Sequence, residues 1–335
     1  MQPYETLNKH LKQHITYLSK TIGPRNIENE ACYAKLCQAA QYIINTLKDI
    51  GYQPNITTYT ATYDHKNFEV QNIEVAIPDS IDLPNDRDTS NSAPTESIVI
   101  GAHYDTVFGS PGADDNGSGI AVLIEIARHM YHLYTQSNDK LKMKRTIKLV
   151  AFPNEESPYS LDQQGKSFGN NMGSVQYAKR AKEKGESIIG MISLESIGYF
   201  SNEEDSQMYP WYLKWLKYLY GNQGNFLTII GDLKSRSFQK EWMSCYHKTS
   251  PKPFSIHRIA LPGCLRLVYR SDHGAFSMEG FPAFMITDTA NFRNPNYHKT
   301  TDTPETINFS HFTEVAQRLI ATVPHLAFDM PYDHS

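Results

Sequence analysis

"SIVIGAHYDTVFGSPGADDNGSGIAVLIEIARHM", residues 97–130, decides the fold of this chain. A short apolar run, "SIVIGA", reads as a strand buried on both faces. It stops at His103 and Asp105. A glycine-rich turn carrying Asp114 and Asp115 follows, and then the apolar helix "GIAVLIEIARHMYHL". The same alternation continues outward. "TIKLVAF" (146–152), "SIIGMISLESIG" (187–198), "NFLTII" (225–230) and "FPAFMIT" (281–287) read as strands, and "GSVQYAKRAKEKG" (173–185) and "FTEVAQRLIATVPHLA" (312–327) as helices. Upstream, "ETLNKHLKQHITYLSK" and "ENEACYAKLCQAAQYIINTLKDIG" have helical spacing, with Gly51 as a C-cap. "NITTYTATY" and "NFEVQNIEVAIP" alternate like paired strands. The pattern predicts an α/β fold: a single globular domain over 1–335, with a central mixed, mostly parallel twisted sheet flanked by helices on both faces. Residues 1–96 supply N-terminal helices and edge strands, ending in the exposed loop 84–96, and 97–330 supply the core.

Composition narrows the function. A net charge of −4 and a pI near 6.4 give no basic footprint for nucleic acid or an anionic membrane surface. No apolar run reaches the length of a membrane span. The polar start "MQPYETLNKHLKQHITYLSK" lacks the apolar core of a secretory signal, so the expected location is cytoplasmic, or secreted or periplasmic if a leader was removed. Cys32, Cys37, Cys245 and Cys264 form no CxxC pair, which leaves no zinc ribbon. A Cys245–Cys264 bridge is open in an oxidising compartment, but buried reduced thiols are the plainer reading.

In sheets of this class ligands sit beyond the carboxyl ends of the strands. Acids and histidines collect there: His103 and Asp105; Asn154, Glu155 and Glu156; Glu195 inside an apolar strand; Asp288; and Tyr297 and His298 in "RNPNYHKTTDT". Each has a bland alternative. The glycine turn can be a helix cap by Asn116 or Ser118, "NEES" a solvated loop, and His298 a surface residue. Together they predict crowded carboxylates that cannot all stay ionised when partly buried, a conflict that cations resolve. Two imidazoles and several carboxylates suit zinc, and Asp115 is placed to bridge a pair of ions.

The ordered set "GAHYDT", "PGADDNGSG", "NEE", "SLESIG", "SDHGAFSMEGFPA" and "NYHKTTDT" resembles the co-catalytic di-zinc aminopeptidases, bacterial leucyl aminopeptidase-like metallo-exopeptidases. The resemblance runs from Ile98 to the C-terminal helix, with a weaker match, "TIGPRN", before it. It implies a zinc-exopeptidase fold, two divalent ions (zinc) and a peptide substrate with a free N-terminus. It also implies roles. His103 and Glu195 would hold one ion, Glu156 and His298 the other, and Asp115 both. Glu155 would be the general base. Tyr297 would steady the oxyanion. Asp105 would orient His103, and Asp272 would support the site with His273. Glu195 departs from the aspartate that many members carry. Its extra methylene requires a backbone set farther back or a folded rotamer, and bears on how fully the ion beside His103 is held.

The implied reaction is hydrolysis of an N-terminal peptide bond. One alternative is an acyltransferase of the glutaminyl cyclase kind, with one zinc. Another is a non-catalytic scaffold like the protease-like domain of the transferrin receptor. Tyr199, Phe200, Phe292 and Arg293 lie near the motifs, but core aromatics and a surface ion pair explain them as well. His10 with His14, and His129 with His132, have helical spacing for a metal but read more plainly as exposed helix histidines. "GSGIAV" lacks the third glycine of a dinucleotide fingerprint, and neither HExxH nor GxSxG occurs.

Overall fold

The computed structural model describes residues 2–81, 95–136, 142–161, 168–249 and 254–329. Most of the expected loop 84–96 lies outside them. The chain begins with α1 (Tyr4–Thr16), continued by a π-helical turn over Tyr17–Ile22, and α2 (Glu30–Ile50). Asn29 accepts from Cys32 N at the start of α2, and Gly51 closes it at φ 118°, a left-handed position that suits glycine. β1 (Asn55–Tyr63) and β2 (Lys66–Ile77) form a hairpin. Then come β3 (Glu96–His103), α3 (Gly117–Gln136), β4 (Thr146–Phe152), α4 (Gly173–Glu183) and β5 (Ser187–Glu195). The rest comprises α5 (Lys217–Tyr220), β6 (Leu227–Asp232), α6 (Arg236–Lys248), β7 (Ile256–Leu261), α7 (His273–Met278), β8 (Ala283–Thr287) and α8 (Phe309–Ala327).

The eight strands form one sheet in the order β1-β2-β4-β3-β5-β8-β6-β7. β3 runs parallel to β4 and β5, β5 to β8, and β6 to β7, while β1–β2, β2–β4 and β6–β8 are antiparallel. The sheet is therefore mixed, with its parallel part at the centre. β3 shows why its run is unbroken: Ile98, Ile100 and Ala102 pack into the larger core with α1, α2, α3, α6 and α8. Val99 faces the opposite way, into the smaller core with α4 and α7. A strand buried on both faces needs apolar side chains at odd and even positions alike. Parallel neighbours also end together, so the last residues of β3, β5 and β8 and the turn after β4 share one rim.

The N-terminal histidines are not surface residues as expected. His14 is buried, and His14 and His10 both contact Glu125 on α3, at 3.2 and 3.3 Å. Arg128 Nε donates to the same carboxylate at 3.1 Å and Gln2 Nε2 at 3.0 Å. Burial alone would raise the pKa of Glu125, but His14 and Arg128 outweigh it and bring it from 4.5 to about 2. A folded-state pKa below the unfolded one stabilises fully above the ordinary value of 4.5, and the gain is lost as pH falls toward 2. Glu125→Gln is expected to cost about 3 kcal/mol at neutral pH, because it removes a buried carboxylate from buried His14 and half-buried Arg128. It should also flatten the acid limb of the melting temperature. Parallel melting curves for wild type and variant across that window would remove Glu125 from this role.

The cysteines are free: Cys245 is buried, Cys32 half-buried, and Cys37 and Cys264 exposed. Only Cys245 therefore matches the buried-thiol expectation. Among the described residues no helix is long and apolar enough to cross a membrane.

Candidate metal centre

The shared rim gathers side chains that lie almost 200 residues apart. His103 is the last residue of β3 and Glu195 the last of β5. Glu155 and Glu156 follow β4, Asp115 lies in the turn before α3, and His298 comes from the loop after β8. His103 Nε2 is 3.2 Å from Asp115 Oδ1 and 3.3 Å from Glu195 Oε2. His298 Nε2 is 3.1 Å from Asp115 Oδ2 and 3.1 Å from Glu156 Oε2. Asp115 thus turns one oxygen to each histidine. Glu155 Oε2 stands farther off, 3.9 Å from His103 Nε2. Potential ligand atoms lie within 4.8 Å of one another in His103–Asp115–Glu195, in Asp115–Glu156–His298 and in His103–Glu155–Glu156. Among the described residues no other acid–histidine–cysteine group does so, and that includes His129 and His132.

The backbone around these groups is held by carboxylates that are not among them. Asp105 accepts from the N–H groups of both Glu155 and Glu156, each at 3.1 Å. Asp302 does the same for Asp114 (3.0 Å) and Asp115 (3.1 Å). Asp105 also lies 3.4 Å from His103 Nδ1, without hydrogen-bond geometry. Asn116 Oδ1 accepts from Gly119 N at the start of α3, so the turn is a helix cap as well as a rim element. Asp114 faces away from the cluster, accepting from Gly198 N and Asn294 Nδ2. Asp288 likewise accepts from Tyr199 N and Ala290 N. The weak match "TIGPRN" supplies Arg25, which is fully buried. Its guanidinium donates to the carbonyls of Tyr104, Pro111 and Gly112, tying the exit of β3 to the turn that carries Asp115.

The carboxylate of Glu195 is pinned by two hydroxyls. Ser196 Oγ donates to Oε1 at 3.0 Å and Ser271 Oγ to Oε2 at 2.7 Å. Asp272 is buried with no hydrogen bond to either carboxyl oxygen, and His273 donates through Nε2 to Val268 O at 2.6 Å, leaving Nδ1 without a partner. Tyr297 stacks on His298, ring centroids 3.8 Å apart.

The electrostatics are those of a cluster that needs positive charge. Burial, with Asp115 adding to it and His298 opposing, pushes Glu156 up to about 8. Burial pushes Glu155 well above the carboxylate range, and Asp272 up to about 7. Asp115 is held well below, because His103 and His298 outweigh its burial. Burial works against a charged His298, but Asp115 and Glu156 raise it to about 10. His103 Nδ1 and Nε2, Asp115 Oδ1 and Glu156 Oε1 are buried without a hydrogen bond. Lone pairs crowded at about 3 Å, buried and unpaired, are the arrangement a cation shared among them would satisfy. The donor set therefore fits divalent metal.

One end of the group opens into a cleft of about 790 Å³, its mouth included, bounded by Glu155, Glu195 and Tyr297. Leu213, Leu216, Phe226, Ile230, Ile259 and Met285 make much of its lining apolar, while Arg270, Asn291 and Thr228 add polar groups. Of the aromatics near the motifs, Phe292 lines this cleft. Arg293 is not in a surface ion pair: it is 4% exposed. The roof segment and Asp302 escaped the sequence reading. Asp302 lies in "KTTDT", where a single polar loop residue gives no signal of its own.

Residues 87–323 match the profile of Peptidase family M28. The uncharacterized Escherichia coli protein YfbL is 27% identical over 328 residues, 95% of this chain and 88% of that protein. Leucine aminopeptidase 1 of Arthroderma otae is 27% identical over 240 residues, 69% of this chain. The chain spans only 55% of the length of that fungal relative. Among solved structures, a zinc aminopeptidase from Bacillus subtilis superposes with a TM-score of 0.65 at 16% identity, covering 98% of this chain and 96% of that one. A glutaminyl cyclase from Bacteroides thetaiotaomicron does so with a TM-score of 0.63 at 16% identity, covering 96% and 97%. Both share the fold.

Proposed function

The chain belongs to peptidase family M28, and from that premise we propose that it is a metallo-aminopeptidase that hydrolyses the first peptide bond of a substrate with a free N-terminus. The observation that carries this reading is Asp115, with one carboxylate oxygen 3.2 Å from His103 and the other 3.1 Å from His298. His103 and Glu195 would hold one divalent cation, Glu156 and His298 the other, and Asp115 both; zinc suits the mixture of imidazole and carboxylate. When bound, such cations make water a competent nucleophile at neutral pH and polarise the scissile carbonyl.

The rest belongs to the chain. Glu155 borders the cleft and stands back from the four short histidine contacts, so its carboxylate is free to take a proton from the attacking water and return it to the leaving amine. The two N–H bonds that Asp105 accepts hold the backbone of Glu155 and Glu156; on this reading Glu155 would serve the water and Glu156 the cation. Tyr297, packed on His298, offers its hydroxyl to the oxygen on which charge develops. The cleft joins an acidic end to an apolar floor, which suits an ammonium and an apolar side chain on the same residue.

The test is hydrolysis of leucyl and alanyl p-nitroanilides, with and without chelator. The expected result is release of p-nitroaniline, faster for leucine, abolished by chelator and restored by Zn²⁺. Cyclisation of a glutaminyl peptide in place of hydrolysis would favour the cyclase alternative. No turnover with any divalent metal would favour a binding scaffold.

A further inference from the structure

The roof of the apolar cleft is the aromatic segment "QMYPWYLKWLKYLYGNQGNF", Gln207 to Phe226. Its inner side chains, among them Leu213 and Leu216, line the cleft. Its outer ones face solvent: Trp211 is 81% exposed and Tyr218 85%. A segment with so much exposed apolar surface has little packing on its outer side to hold it in place. Backbone bonds from Gln207 N to Asn222 O and from Met208 N to Phe292 O, a bond from Gly224 N to Ser206 Oγ, and the stacking of Tyr220 on His257 hold parts of it, and Arg293 adds a side-chain link at each end. Arg293 Nε donates to Gln207 Oε1 at 2.9 Å, at the start of the segment. Arg293 Nη1 donates to Phe226 O at 2.8 Å, at its end. The guanidinium also lies 4.7 Å from the centre of the Phe226 ring and 5.7 Å from that of Phe200, within cation–π reach. Gln207 passes the restraint on through Nε2, which donates to Thr289 Oγ1 at 2.9 Å and to Met208 O at 2.8 Å. A side chain at Gly224 would meet Arg293 Cδ at 2.7 Å, so the chain passes close over the guanidinium there. Burial lowers the Arg293 pKa to about 10, with Asp288 and Asp114 opposing, so the group is charged at neutral pH.

We propose that Arg293 is a specificity-determining positioning residue: by joining both ends of the roof segment Gln207–Phe226 it sets the height of the cleft, and with it the preference for a bulky apolar first side chain. The proposal rests on the aminopeptidase reading for its substrate. A planar guanidinium can span two acceptors that a lysine ammonium cannot hold in the same geometry.

The experiment compares wild type, Arg293→Lys and Gln207→Ala. It measures KM and kcat for leucyl, phenylalanyl and alanyl p-nitroanilides, with bound metal as a control. In Arg293→Lys the KM for the leucyl and phenylalanyl substrates should rise about tenfold or more, the size expected when a pocket loses close fit. The alanyl KM and the kcat values should move far less. Gln207→Ala removes one of the two links and should give a smaller selective rise, about threefold. It carries the test if Arg293→Lys fails to fold. Equal KM changes for leucine and alanine in a folded variant would overturn the proposal, as would a fall in kcat alone. Tryptic cleavage after Lys214 and Lys217 reads the link without catalysis and should be faster in both variants. If wild type hydrolyses none of the anilides, the aminopeptidase reading fails, and an unchanged cleavage rate would then overturn the link as well.

Discussion

Glu155→Gln should lower kcat by about 10²- to 10⁴-fold, the range spanned by general acid–base groups, with KM and metal content close to wild type. The amide has the shape of the carboxylate. Its backbone N–H stays on Asp105, so the neighbouring Glu156 is not displaced. What the variant loses is a site for the proton of the attacking water. The position separates Glu155 from the ligand candidates: its nearest contact with His103 is 3.9 Å, against 3.1–3.3 Å for Asp115, Glu156 and Glu195 with their histidines. Steady-state kinetics with the leucyl substrate and metal analysis on the same preparation decide the matter. Activity within threefold of wild type would remove Glu155 from proton transfer. Loss of a cation would make it a ligand, as its grouping with His103 and Glu156 would allow.

The second large effect is expected at Asp115. Asp115→Asn keeps the size of the side chain and the two N–H bonds made by Asp302 at Asp114 and Asp115. It replaces one carboxylate oxygen by an NH₂ group, which cannot coordinate and which would face a histidine or a cation. The account expects at most one cation per chain, no measurable turnover, and a lower melting temperature that added Zn²⁺ no longer raises. A cation that binds only the folded chain stabilises it in proportion to its affinity. Full metal content and near-normal turnover would show that the two histidines do not depend on a shared carboxylate.

Much of this could be read from the chain, for identifiable reasons. The central strands are apolar at consecutive positions, which few other elements are, so their ends could be located. A carboxylate that interrupts such a run, like Glu195, is too costly to be incidental. β6 was legible for the same reason. β7 was not, because "IHRIAL" is an edge strand, half-buried throughout, with a basic residue and a histidine in its centre. α6, with Lys240, Glu241 and polar residues around Phe238, Trp242 and Tyr246, carries its apolar face in aromatics and was likewise missed. At the site, the rim residues announced themselves by type. The groups that hold them did not. Arg25 acts through backbone carbonyls, which any sequence supplies, and Asp302 through backbone N–H groups. Asp114 looked equivalent to Asp115 in sequence. Adjacent residues in a turn point different ways, and Asp114 turned to Gly198 and Asn294. The cleft depends on a segment with apolar side chains on both its inner and its outer faces, so the usual contrast between apolar and polar sides is absent. Arg293 gave no hint of burial, because its partners are an amide, a carbonyl and two rings, not a carboxylate in sequence reach.

The central claim is most directly tested by counting cations on the reconstituted wild-type protein, by elemental analysis after removal of loosely held metal, beside Asp115→Asn. The account predicts about two equivalents per chain in the wild type, the number set by two imidazole–carboxylate half-sites joined at one aspartate, and one or none in the variant. One equivalent or none in the wild type, or two in both, would contradict it.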